Sequence, residues 1–187
     1  MNDDQKLVKK ALRGNREAFE MIIRRYRQPV LNYIGRMVRE RELALDLSQD
    51  VFVKAYAALR SYRPQYKFST WLFRIASNTV IDHWRRKKLA PVSLDQPVDE
   101  DCPELTLQVA DDGPSVARAY ELGELRAKIE AALEKVPLAL RELFVWRHVN
   151  GFSYEEMAEM KGLPVGTVKN RVFQAKEMMK KLLGEPA

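Results

Sequence analysis

The chain has 187 residues, 46% hydrophobic and 31% charged, with a formal net charge of +6 and an isoelectric point of about 9.4. That length suits one medium domain or two small ones, and the excess of cations favours polyanionic partners. A single cysteine, Cys102, excludes an intramolecular disulfide, while the polar stretch Met1 to Lys10 and the lack of a long apolar run argue against a signal peptide or a membrane segment, so a cytoplasmic protein is expected.

Asp3 to Leu12 reads as a short helix closed by Gly14 and Asn15. From Glu17 onward, Phe19, Ile22, Ile23 and Tyr26 recur at helical spacing, followed by Val30, Leu31, Ile34 and Val38. Pro29 between the two groups predicts a kink or a restart. A further helix is predicted over about Glu42 to Leu59, with Leu45, Val51 or Phe52, and Ala55 available for packing. Asp46, Gln49, Asp50 and Val53 share another face by their three- and four-residue spacings, and on the residues alone that polar face is simply exposed to solvent.

Arg63 to Lys67 reads as a loop, after which Ser69 or Thr70 is placed to cap a long helix ending near Lys88. In that helix Leu72, Ile75, Ala76 and Thr79 form an inward stripe, and Trp71, Arg74, Asn78, Asp82 and Arg85 fall on a different face. Aromatic rings beside cations suit single-stranded DNA, because unstacked bases lie on the rings while cations meet the backbone. The run Arg85 to Lys88 adds to the electrostatic case. The plainer reading makes Trp71 and Trp84 core residues and the basic run a solvated helix end.

From Ala90 to about Pro114 the character changes. Pro91, Pro97, Pro103 and Pro114 punctuate a segment carrying Asp95, Asp99, Glu100, Asp101, Glu104, Asp111 and Asp112, which predicts a flexible acidic linker. Helical patterning resumes from about Val116 to Leu183, broken at Val136–Pro137, Asn150–Gly151 and Lys161 to Pro164. No run of alternating β-branched residues occurs. The expected fold is all-α: two small helical domains, 1–89 and 116–187, joined by a linker over 90–115.

The sharpest signal lies between Ser153 and Lys176. Ser153 and Glu156 form a capping box, Gly162 supplies a tight turn, Leu163 can plug the space between helices, and a second helix starts near Pro164 or Val165. That is a helix-turn-helix, whose second helix enters the major groove. Val168, Val172, Ala175, Met179 and Leu182 form its inward stripe. Opposite lie Asn170, Phe173 and Gln174, flanked by Thr167 and Lys169. Asn and Gln make paired hydrogen bonds to adenine and Phe contacts a thymine methyl, whereas Lys169, Arg171 and Lys176 suit phosphates. The plainer reading is an ordinary helical hairpin with a solvated face.

Enzyme chemistry finds little support. There is no phosphate-cradling Gly-rich loop and no His/Cys metal spacing, so no metal or cofactor is expected. His83 and His148 are isolated, and Cys102 sits in the linker. A helix-turn-helix repressor or activator explains the second block but not the aromatic and basic helix of the first.

Several of these segments together resemble the extracytoplasmic-function sigma factors, the smallest bacterial sigma-seventy-like factors. The resemblance rests on Ala18 and Phe19 with Tyr26, Asp46 to Phe52 with Lys54 to Tyr56, Phe68 to Leu72 with Arg74 to Ala76 and Asn78, and Pro164 to Val168. It implies that the first domain binds the clamp of core RNA polymerase and recognises and melts the minus-ten element. The second would bind the flap and read the minus-thirty-five element. Asp46, Gln49 and Asp50, beside Val53, would then be the main polymerase contact. The loop from Tyr62 through Phe68 to Ser69 would hold a base flipped from the non-template strand, with Asn78 nearby. The acidic linker would run through the enzyme's RNA path, its carboxylates standing in for RNA. An anti-sigma protein, often membrane-anchored, is the implied inhibitor, and such an anchor would hold the chain at the inner face of the membrane. Two residues depart from the pattern. Asp82 repels phosphate, though it can accept from a cytosine amine, and Gln174 stands where many relatives carry a basic residue.

Overall fold

The computed structural model describes residues 3–89 and 116–184, and every regular element among them is helical. The chain divides into two compact units, Met1–Leu105 and Thr106–Ala187. The linker expected over 90–115, with Cys102 and its acidic run, lies outside the described residues.

In the first unit, α1 spans Asp3–Leu12. Gly14, at φ +92°, turns the chain, and the Asn15 side chain then accepts from the Ala18 N–H at 2.9 Å to cap α2, Arg16–Met37. Of the two expectations, a restart does not occur: α2 runs as one helix through Pro29. Proline there removes the donor to the Arg25 carbonyl, a defect worth about 3 kcal/mol in a helix interior. Pro29 is exposed, so that carbonyl can turn to water, and the burial of Ile22, Val30, Tyr33 and Ile34 in the same helix offsets the defect at about 1.5–3 kcal/mol each.

Helix α3 covers Arg41–Ala57 and gives way to a 3-10 turn at Leu59–Ser61, where one helix to Leu59 was expected. Helix α4 spans Phe68–Leu89. It begins at Phe68, with Lys67 O accepting from Trp71 N at 3.3 Å, so Ser69 and Thr70 lie inside the first turn rather than capping it. Helices α2, α3 and α4 enclose Ile22, Ile34, Val51, Ala55, Leu72 and Ala76, all fully buried. Lys54 Nζ donates to Thr79 Oγ1 at 3.1 Å and ties α3 to α4.

The second unit comprises α5 (Val116–Lys135), α6 (Leu138–His148), α7 (Tyr154–Lys161) and α8 (Val165–Leu183), with breaks where the sequence places them. Leu143, Val145, Trp146, Met157, Val168 and Ala175 form its core. Lys161 pairs with the buried Glu142 and lies 5.2 Å from the Trp146 ring, joining the end of α7 to α6. Of the expected inward stripe of α8, Val168, Val172, Ala175 and Met179 are buried but Leu182 is 40% exposed. The stripe repeats every 3.5 residues while a straight helix turns every 3.6, so over two heptads Leu182 drifts about 40° off the packed line.

Candidate nucleic-acid interface

The helix-turn-helix is held by local bonds. Ser153 Oγ accepts from the Glu156 N–H at 3.1 Å, and the Glu156 carboxylate accepts from the Ser153 N–H at 2.8 Å, so both halves of the capping box form. Gly162 ends α7 at φ +63°, a left-handed conformation that glycine adopts without strain. Leu163 N donates to Ala158 O at 3.0 Å, and the half-buried Leu163 side chain occupies the turn. Pro164 precedes α8, its carbonyl accepting from Thr167 N and Val168 N at 3.0 and 3.2 Å.

With one stripe of α8 buried, the other faces outward. Lys169, Asn170, Phe173, Gln174 and Lys176 are exposed, and Thr167 and Arg171 are half-buried. Phe173 is 61% exposed, an apolar ring set among amides and cations. Two residues that the sequence did not single out join this surface. The Tyr154 ring lies 4.7 Å from the Arg147 guanidinium and 5.6 Å from Lys169 Nζ, and Arg147 also donates to Phe152 O at 3.1 Å. Arg147 comes from α6, so only tertiary packing brings it to the start of α7. The local charge is felt nearby. Burial, then Arg147 and Lys176, hold His148 below its ordinary value. The Glu155 carboxyl is lowered by its own backbone N–H and the Ser153 hydroxyl, with Lys169 and Arg147 adding to the effect.

In the first unit the expected α3 face is present: Asp46, Gln49, Asp50 and Val53 are all exposed, Val53 at 68%, and Tyr56 at 58% extends the face by one turn. The aromatic residues around the start of α4 are placed differently from expectation. Tyr62, Phe68 and Trp71 are buried, with ring centroids 5.4–5.7 Å apart, and Tyr26 adds its ring 5.5 Å from Phe68. Trp71 therefore offers no open face on which a base could stack. Its ring is enclosed because Tyr62 comes in from the loop and Phe68 from the same helix, and edge-to-face contacts add about 0.5–1.5 kcal/mol per pair to burial. Arg74, Asn78 and Arg85 are exposed and Ser69 is half-buried. Asp82 is accounted for locally: its carboxylate lies 3.7 Å from Arg85. The tryptophan with a cation at the surface is Trp84, half-buried, with Lys87 Nζ 5.5 Å from its ring.

A cavity of about 140 Å³ opens beside this cluster, lined by Asp4, Gln5, Tyr62, Gln65, Tyr66, Lys67 and Phe68. Tyr62 Oη donates to Tyr66 O at 2.7 Å, and burial raises the Tyr62 hydroxyl above its ordinary value. Among the described residues no group of His, Cys, Asp and Glu is arranged to hold a metal ion, and no helix is long and apolar enough to cross a membrane.

A helix-turn-helix with an amide, aromatic and cationic outer face, in a chain whose other unit ends in a basic helix, defines a nucleic-acid-binding protein. Comparison with known proteins narrows this. The family profile described as Sigma-70 region 2 matches residues 22–89, and that described as Sigma-70, region 4 matches residues 126–179. The RNA polymerase sigma-H factor of Pseudomonas aeruginosa is 34% identical over 96% of this chain and 93% of its own length. The ECF RNA polymerase sigma-E factor of Escherichia coli is 33% identical over 93% of this chain and 91% of its own. Among solved structures, CnrH in complex with the cytosolic domain of CnrY matches 98% of both chains at 26% identity with a TM-score of 0.70. The sigma factor RpoE of Bartonella quintana, solved with the anti-sigma factor NepR, shares the fold at 22% identity and a TM-score of 0.65, over 89% of this chain and 96% of its own. The chain belongs to the sigma-70 family of RNA polymerase sigma factors, in its extracytoplasmic-function group.

Proposed function

We propose that this protein directs core RNA polymerase to specific promoters and opens them there, with no bond-making chemistry of its own. Residues 116–187 would read the minus-thirty-five duplex: Asn170, Phe173 and Gln174 face base edges, and Thr167, Lys169, Arg171 and Lys176, joined by Arg147, face the phosphates. Residues 1–89 would handle the minus-ten element. There Ser69, Arg74, Asn78 and Arg85 supply the strand contacts, and Tyr62, Phe68 and Trp71 shape the surface from beneath. Asp46, Gln49, Asp50 and Val53 would dock on the polymerase clamp, with residues 90–115 passing towards the RNA path. The observation that carries the reading is the sorting of α8, which buries Val168, Val172 and Ala175 and leaves Asn170, Phe173 and Gln174 in solvent, in a member of this family.

A cytoplasmic location follows from the partner, and an anti-sigma protein would hold the factor inactive; the sigma factor RpoE of Bartonella quintana, of the same fold, was solved with the anti-sigma factor NepR. The test is reconstitution with core polymerase and mapping of transcript starts. Defined starts downstream of a shared pair of promoter elements are expected. The double change Asp46→Lys and Asp50→Lys should lower polymerase affinity at least about tenfold, roughly 1.4 kcal/mol, without altering the helical fold. If core polymerase ignores the chain while promoter duplex still binds it, a free-standing helix-turn-helix regulator is the better reading.

A further inference from the structure

Helix α1 lies outside the 22–89 match to region 2, yet it supplies two walls of the cavity beside the 62–67 loop. Asp4 is 6% exposed, unusual for a carboxylate. One of its oxygens pairs with the Arg25 guanidinium, and the other accepts from Tyr26 Oη at 2.6 Å. Burial, and then that bond, raise the Tyr26 hydroxyl well above its ordinary value. The next residue straps the loop: Gln5 Nε2 donates to Pro64 O at 2.6 Å, while within the loop the Tyr62 hydroxyl donates to Tyr66 O at 2.7 Å. The loop is thus tied once to itself and once to α1.

We infer that α1 is a specificity element of the promoter-reading unit: Gln5 fixes the 62–67 loop, and the Asp4 carboxylate makes the cavity favour an unstacked base carrying an amine at pyrimidine C4 or purine C6 over one carrying a carbonyl there. The inference rests on the reading of this loop as the pocket for a minus-ten base. A carboxylate accepts hydrogen bonds and donates none, and it has about four lone-pair directions. Arg25 and Tyr26 occupy two. With the C4 or C6 substituent turned towards Asp4, the amine of adenine or cytosine can meet one that is left, whereas O4 of thymine or O6 of guanine in that place would bring two acceptors together. A mismatch of this kind costs about 5- to 150-fold in binding. Asp4 is a candidate base contact; Gln5 is a positioning residue.

The test uses polymerase reconstituted with the full chain and a promoter template whose non-template strand is unpaired across the minus-ten element. Each unpaired position in turn carries each of the four bases or an abasic site. Wild type should prefer the amine bases at one position. Gln5→Ala should cut that preference about tenfold there and leave affinity for the abasic template unchanged, and Asp4→Asn should admit thymine and guanine. A parallel fall on all five templates marks α1 as structural and overturns the assignment. If both variants keep the preference and Tyr66→Ala loses it, α1 has no part in selection although the loop does. If Tyr66→Ala keeps it as well, the reading of the loop falls with the inference.

Discussion

Trp71→Ala separates a folding role from a DNA-stacking role, because the two make opposite demands on the same ring. Trp71 is 8% exposed and lies 5.7 Å from Tyr62 and 5.4 Å from Phe68 between ring centroids. Truncating a buried tryptophan costs about 3–5 kcal/mol through lost transfer energy and the cavity left behind. Two aromatic contacts of about 0.5–1.5 kcal/mol each go with it, already included in such totals. A small domain holds only about 5–15 kcal/mol, so the first unit should lose between about a fifth and all of its stability. The assay is urea unfolding of the whole chain, with hydrogen exchange read separately on peptides from α4 and α8. The α4 peptides should lose about 3–5 kcal/mol of protection while those of α8 keep theirs. Polymerase docking and strand opening should decline together, in step with the unfolded fraction. A stability loss under about 1 kcal/mol, with opening alone impaired, would refute the reasoning and restore Trp71 as a stacking platform.

Other substitutions probe the second unit. Asn170→Ala or Gln174→Ala should relax minus-thirty-five base preference by about 1–3 kcal/mol per lost contact, measured by competition between promoter variants, with unfolding shifted by no more than about 0.5 kcal/mol because both side chains are exposed. Ser153→Ala removes one half of the capping box and should cost about 1 kcal/mol in urea unfolding of the second unit, lowering affinity for all promoter sequences alike. His148 should titrate below the ordinary 6.5 in an NMR pH series. The unfolded chain then binds this proton more readily than the folded one. Its contribution to stability is therefore full above pH 6.5 and falls as the pH drops from there through the lowered folded value, a dependence that His148→Gln should remove.

How much of this was legible in the sequence depends on how local the cause is. The helix-turn-helix was readable because each determinant lies within a few residues of its effect: Ser153 with Glu156, Gly162 at the turn, Pro164 before α8. The exposed α3 face followed from three- and four-residue spacings. Pro29 left a restart open because the local penalty is real, and only the tertiary burial of Val30, Tyr33 and Ile34 carries the helix through it. Trp71 misled for a related reason. The helical wheel places it beside Arg74 and Asn78, but Tyr62 arrives from a loop and closes over it. Asp4 gave no warning, since its partners Arg25 and Tyr26 lie 21 and 22 residues away. Arg147 was missed in the same way. Its ring partner, Tyr154, belongs to the next helix.

That ring has a consequence for the unbound protein. Arg147 and Lys169 converge on the Tyr154 ring, and the two like charges repel each other beyond what the neighbouring Glu155 carboxylate offsets. Before DNA arrives, small anions from the buffer should gather there, and a promoter phosphate would evict them. Part of the affinity would then be entropy returned to the solvent, strongest in dilute salt and fading as the medium itself supplies the missing negative charge.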